Sequence, residues 1–235
     1  MLIKYLLVKE FIGWNAAEVF IKELILAHNL NSILEIGAGA NPTIKPEFIE
    51  KHKLKYTVSD VAEEELNKAA DVYNKLIVDF SNDVDISEKF DLVFSRMVGE
   101  HISNGETFHK NIYNILNEGG LSFHCFSTLY SFPFIMNKFL PEKLSDLLLA
   151  RVAPRDQFQH GKFKAHYDWC RGPSKRMINR YKEIGYDIIE YVGYFGHNYY
   201  KKFSLLNSLE KIKSKTLKKH AIPYLTAYAH ILLKK

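Results

Sequence analysis

The run Ile33-Leu-Glu-Ile-Gly-Ala-Gly-Ala-Asn-Pro42 constrains this chain more than any other stretch, because an apolar strand breaks there directly into glycines. Gly37 and Gly39 carry no Cβ, so the backbone can turn through positive φ and bring its N–H groups against a ligand. In open α/β sheets a turn of this kind, at the carboxyl edge of a parallel strand, is where nucleotides bind. Glu35 sorts among them. Two residues ahead of the first glycine, it would repel the pyrophosphate that a G-x-G-x-x-G turn holds, so the expected ligand carries a cation.

The rest of the chain supplies a sheet around that turn. Apolar residues at Ala17, Phe20, Ile21, Leu24 and Ile25 give a packing helix within Trp14 to His28. Strand one is Ser32 to Ile36, and the next helix starts either at Asn41-Pro42 or at Pro46. Strand two, Leu54 to Ser59, ends in Asp60, a carboxylate placed to hold ribose hydroxyls in the way dinucleotide folds do about 20 residues past the glycines. Lys75 to Val78 is strand three, followed by Asp79 and Phe80, and Phe90 to Phe94 is strand four, followed by Ser95 to Ile102. An amphipathic helix from Gly105 to Leu116 turns through Gly119-Gly120 into strand five, Leu121 to Phe126. Pro173 to Ile184 is a further helix stopped by Gly185, Tyr186 to Val192 is strand six, and Tyr224 to Leu233 returns antiparallel beside it. Before that return comes a basic helix with an apolar stripe of Leu205, Leu209 and Ile212.

On Glu35-x-Gly37-x-Gly39, Asp60, Asp79 and the Gly119-Gly120 turn, the chain resembles class I S-adenosylmethionine-dependent methyltransferases, with Ala40 and Asn41 where the family has its third glycine. The resemblance implies an α/β, Rossmann-like methyltransferase sheet of seven strands with the last reversed, plus lid insertions. It implies S-adenosyl-L-methionine as cofactor, held by Glu35, Gly37, Gly39, Asn41, Asp60, Val61, Asp79, Phe80, Ser95 and Arg96. In the family the residue at Asp79 bonds the adenine amino group; otherwise this carboxylate caps its own loop. His101, with Glu100 beside it, resembles the position where several sugar O-methyltransferases place a base, although a histidine there can equally cap the next helix or bond a loop carbonyl. Ser95-Arg96-Met97 is not the Asn/Asp-Pro-Pro-Tyr of exocyclic amine methylation, and no Asp stands where metal-dependent O-methyltransferases bind magnesium. No metal is expected.

Length favours one domain over residues 1–235, with acceptor-binding insertions at about 127–172 and 193–222. Within and around them the histidines and aromatics Tyr130, His160, His166, Tyr167 and His197, with Arg155, are the candidate acceptor contacts. Charge is uneven. Residues 151–180 hold eight Lys/Arg against two Asp/Glu and residues 201–219 hold seven against one, so the remainder of this +5 chain is acidic. Such patches suit phosphates, acidic glycans, nucleic acid or a peripheral contact with anionic membrane, or are simply solvated faces. The acceptor expected is a small molecule or glycan bearing phosphate, in cell-surface polysaccharide synthesis. RNA methylation and an inactive cofactor-binding partner subunit are the alternatives, the first weakened by the lack of any recognised RNA-binding module. Cys125 and Cys170, too far apart for a metal or redox pair, read as free thiols of a cytoplasmic protein.

Overall fold

The computed structural model describes residues 1–129 and 164–235. Its strands are β1 (Leu2–Leu7), β2 (Ser32–Ile36), β3 (Lys55–Asp60), β4 (Asn74–Ile77), β5 (Phe90–Arg96), β6 (Leu116–Ser127), β7 (Asp187–Phe195) and β8 (Tyr228–Lys234). They form one sheet in the order β1-β7-β8-β6-β5-β2-β3-β4. Only β8 runs antiparallel to its neighbours, β6 and β7. The carboxyl ends of β2, β3, β4, β5, β6 and β7 therefore share one edge, and the turns that leave them meet there.

The helices are α1 (Ile12–Asn15), α2 (Ala17–His28), α3 (Pro46–His52), α4 (Glu63–Leu66), α5 (Gly105–Ile115), α6 (Lys175–Ile184) and α7 (Ser204–His220). Each begins or ends where its residues dictate. Pro46 occupies the first turn of α3, where its missing N–H costs nothing; that decides between the two starts offered by the sequence. Asn104 and Ser174 cap α5 and α6 by accepting from the N–H groups of Thr107 and Met177. Gly185 closes α6 at φ 119°, a conformation that side chains resist. The helical stripe of α2 buries Ala17, Ile21, Leu24 and Ile25, each large aliphatic contributing about 1.5–3 kcal/mol of burial.

Three features depart from the sequence reading. The sheet has the seven expected strands and an eighth, β1, added parallel to β7 at the edge. Beside that ladder the Lys4 ammonium donates to Glu190 on β7 at 2.8 Å. The last strand begins at Tyr228, because Pro223–Leu225 is a 3₁₀ turn and proline has no N–H for a ladder. Finally, the apolar stripe of α7 faces outward, with Leu205 72%, Leu209 55% and Ile212 63% exposed, while Glu210 and Ser214 are buried. No helix among the described residues is long and apolar enough to cross a membrane.

Candidate functional site

Glu35 ends β2 under the glycine turn and is only 3% exposed. Its carboxylate accepts from the Thr43 N–H at 2.9 and 3.1 Å, from the Thr43 hydroxyl, and from the Tyr56 hydroxyl at 2.7 Å. Burial pushes its pKa up, and the Thr43 and Tyr56 bonds and the Arg96 charge pull against that. The acid thus ties Thr43, at the end of the turn, onto β2 and β3. The turn is held from below as well. The N–H groups of Gly37 and Ala38 both donate to Ser59 O, at 2.7 and 3.1 Å, and so are not offered to a ligand.

Gly37 and Gly39 take φ of 72° and 50°, but for different reasons. A Cβ on Gly37 would stand 2.3 Å from Val98 Cγ2, so this glycine lets the turn pack against the segment after β5. A Cβ on Gly39 would meet nothing nearer than Asp60 Oδ2, at 3.5 Å. Open backbone beside a carboxylate is the cradle a ribose requires. Asp60 Oδ1 accepts from the Ala62 N–H at 3.0 Å, fixing the side chain; Oδ2 turns toward Gly39 and takes no hydrogen bond from the described residues. Val61, next in line, is 52% exposed at the mouth, and Asn41 closes the turn by donating its N–H to Ala38 O at 3.1 Å. These residues fit a nucleoside with a free ribose diol.

Other expected contacts stand elsewhere. Asp79 spends both oxygens on its own loop, accepting from the Ser81 N–H at 2.8 Å and from Asn82 Nδ2 at 2.9 Å. Phe80 is 2% exposed and packs edge-on to Phe108 of α5, so it belongs to the core. Ser95 is 1% exposed, and its hydroxyl pairs with His124 Nδ1 at 2.7 Å on the α5 side of the sheet. Arg96, at the end of the same strand, is half-buried and its charge reaches Glu35.

The segment after β5 turns sharply. Met97 has φ 58°, an unusual conformation for a side-chain-bearing residue, and its N–H donates to Cys125 O at 2.8 Å. A 3₁₀ turn follows, Gly99–His101. Glu100 is 5% exposed; Oε1 accepts from the Ser127 hydroxyl at 2.9 Å, whereas Oε2 is buried without a hydrogen bond from the described residues. Burial raises its pKa above the ordinary carboxylate range. Its carbonyl accepts from the N–H groups of His166 and Tyr167, at 2.7 and 2.9 Å. Thus the returning end of the insertion docks on this turn. Asp168 then accepts from the Gly105 N–H at 2.9 Å at the start of α5, and Trp169 lies where a Cβ on Gly105 would be, with Cγ 2.4 Å away. His101 Nδ1 stands 3.1 Å from Lys164 O, the bond to a loop carbonyl that a structural role also predicts. A carbonyl only accepts, so Nδ1 carries the proton and the basic lone pair is on Nε2.

The structure therefore brings Glu100, His101 and the 164–167 return together after β5, with Val98 of the same segment against Gly37. Tyr167, at φ 52°, is 2% exposed and contributes to the packing. His197 is 3% exposed, with Nε2 3.4 Å from Glu210 Oε2 under α7, and burial lowers its pKa. Tyr130, Arg155 and His160 lie outside the described residues. His109 is 5% exposed, with its ring centroid 5.1 Å from that of His124; burial holds His124 down to about 3. The cavity lined by those two histidines, Trp169 and Cys170 measures about 10 Å³, room for one water and not for an acceptor. Thr43, Tyr56 and Ser127 support the site without any signal in the sequence, since only the fold brings them to Glu35 and Glu100.

Residues 34–123 match the family described as a methyltransferase domain. No curated protein matches the chain. Among solved structures, a S-adenosylmethionine-dependent methyltransferase from Clostridium acetobutylicum ATCC 824 is 17% identical, with 96% of this chain and 92% of that one covered at a TM-score of 0.56. Phosphoethanolamine N-methyltransferase 2 of Haemonchus contortus, in complex with S-adenosyl-L-methionine, is 14% identical over 94% of this chain and 52% of its own, at 0.57. The N-methyltransferase NodS of Bradyrhizobium japonicum WM9, in complex with S-adenosyl-L-homocysteine, is 14% identical over 97% and 90%, at 0.52. At such identities these likenesses speak for the fold. The matched family domain covers β2 through β6, the strands whose turns build the cradle, and the whole chain has the fold of S-adenosylmethionine-dependent methyltransferases.

Proposed function

We propose that the acceptor is a hydroxyl of a phosphorylated sugar or glycan intermediate of cell-surface polysaccharide synthesis, and that His101 removes its proton. The observation that carries this reading is the setting of His101. Val98 packs against Gly37, and three residues later His101 has its Nδ1 proton fixed on the Lys164 carbonyl, so Nε2 is the ring's basic atom. A sugar hydroxyl is too weak an acid to react unaided near neutral pH, and an imidazole within reach suits the task. The basic composition of the insertion and its return, Arg155, Lys164 and Arg171 among them, suits a phosphate.

S-adenosylmethionine supplies a methyl group already activated on its sulfonium, so the chain has three tasks. Gly39 and Asp60 hold the nucleoside, with Val61 and Asn41 at the rim of the cradle. The 97–101 turn and the docked 164–169 return exclude water above it. His101 takes the proton, and the buried carboxyl of Glu100, next in the chain, stabilises the charge the ring acquires. His101→Ala should lower kcat by roughly 10²- to 10⁴-fold and leave S-adenosylhomocysteine affinity unchanged by calorimetry. Near-full turnover in that variant, with loss in His166→Ala, would move the base to the returning segment. Acceptor class is decided by offering labelled S-adenosylmethionine to fractions of sugar nucleotides, lipid-linked glycans and RNA; label in RNA alone would overturn the sugar reading.

A further inference from the structure

α7 is built inside out. Its inward side carries Glu210 and Ser214, buried at 7% and 4% exposure; Ser214 donates to Glu210 O at 2.7 Å, and Glu210 lies against His197. On the opposite side Leu205, Leu209 and Ile212, at i, i+4 and i+7, form one exposed apolar line. Phe203 and Leu206, each 46% exposed, extend it at the amino-terminal end. A surface helix normally shows the reverse arrangement.

The charge around that line is of one sign. Residues 201–219 contain seven lysines and a single acid, Glu210, which is buried and neutralised by Lys213 at 2.5 Å. Lys211, Lys215 and Lys219 flank the apolar line, exposed. Lysine is depleted at the cores of protein–protein interfaces, whereas an apolar line bordered by lysines is the pattern of a helix lying in the headgroup layer of an anionic bilayer. The helix is also well placed. A Cβ on Gly196 would stand 2.8 Å from Ser214 Oγ, so the middle of α7 crosses the turn leaving β7, on the same sheet edge as Gly39 and His101.

We propose that the Leu205–Ile212 face of α7 docks on an anionic membrane surface. Leucine side chains enter the acyl boundary, the lysines meet lipid phosphates, and the cofactor edge is held at the bilayer. This does not depend on which acceptor is methylated, and its test needs no turnover. The full chain should sediment with vesicles of phosphatidylglycerol and phosphatidylcholine, not with phosphatidylcholine alone, and high salt should release it. Leu209→Asp with Ile212→Asp should abolish sedimentation, and Lys211→Glu, Lys215→Glu and Lys219→Glu together should lower partition on the order of tenfold or more. All five side chains are exposed, so thermal unfolding and S-adenosylhomocysteine binding should be unchanged. Absence of wild-type binding to the anionic vesicles, or binding that neither variant set weakens, would overturn the proposal. So would a dimer that dissociates in Leu209→Asp without any vesicle binding.

Discussion

Two carboxylates end up almost equally buried on the two sides of β5, and the chain treats them oppositely. Glu35, 3% exposed, is saturated by Thr43 and Tyr56. Glu100, 5% exposed, keeps Oε2 without a hydrogen bond from the described residues. Burial raises the pKa of both. A buried carboxylate with its lone pairs satisfied is an architectural pin, whereas one left half-satisfied carries an uncompensated cost that a fold tolerates where proton movement repays it. The β2–β3 side of the turn is thus pinned by a saturated carboxylate, and the β5–β6 side carries one that Ser127 satisfies at Oε1.

Substitutions can break that contrast. Glu35→Gln places an amide donor against the donors of Thr43 and Tyr56 and should cost about 1–3 kcal/mol of stability, read in denaturant unfolding. Gly37→Ala should cost comparably, through its positive φ and the contact with Val98, whereas Gly39→Ala has open space and bears only the φ cost of roughly 1 kcal/mol.

Glu190 offers a control outside the site. Hydrogen bonding to His230, then to Lys4, holds its carboxyl down to about 2. A carboxylate depressed on folding adds stability above its unfolded pKa and loses it as pH falls toward the folded value. Wild type should thus lose stability relative to Glu190→Gln between about pH 5 and 2, with β1 the first element released in hydrogen exchange. The smallest effect is expected at Glu100. A carboxyl held above its ordinary range favours the protonated fold; that contribution is complete below the unfolded carboxylate range and fades as pH rises through the folded value. Glu100→Gln should therefore be neutral or slightly stabilising at neutral pH while lowering turnover. A loss of stability as large as that of Glu35→Gln would erase the distinction.

What the sequence made legible follows from how each feature is encoded. Gly37, Gly39, Asp60 and the strands around them were legible because strain and periodicity are local properties of a few neighbouring residues. Ser95 and Phe80 were placed by their nearness to strand ends, yet alternation along β5 and the packing of α5 turned both inward; a one-residue step on a strand exchanges the faces. β1 was hidden because its partner, β7, lies far along the chain. The outward face of α7 was hidden because periodicity reports that a stripe exists and not which side of the helix the fold covers.

The Gly39–Asp60 cradle is the proposed seat of the nucleoside. Calorimetric titration of S-adenosylhomocysteine into wild type and Asp60→Ala tests it most directly. Loss of a hydrogen bond between a charged group and the ribose should weaken binding by about 1.5–3 kcal/mol, with the lost Ala62 N–H bond costing about 0.5–1.5 kcal/mol of stability and NAD showing no binding to either protein. Equal affinity for the two proteins would contradict it.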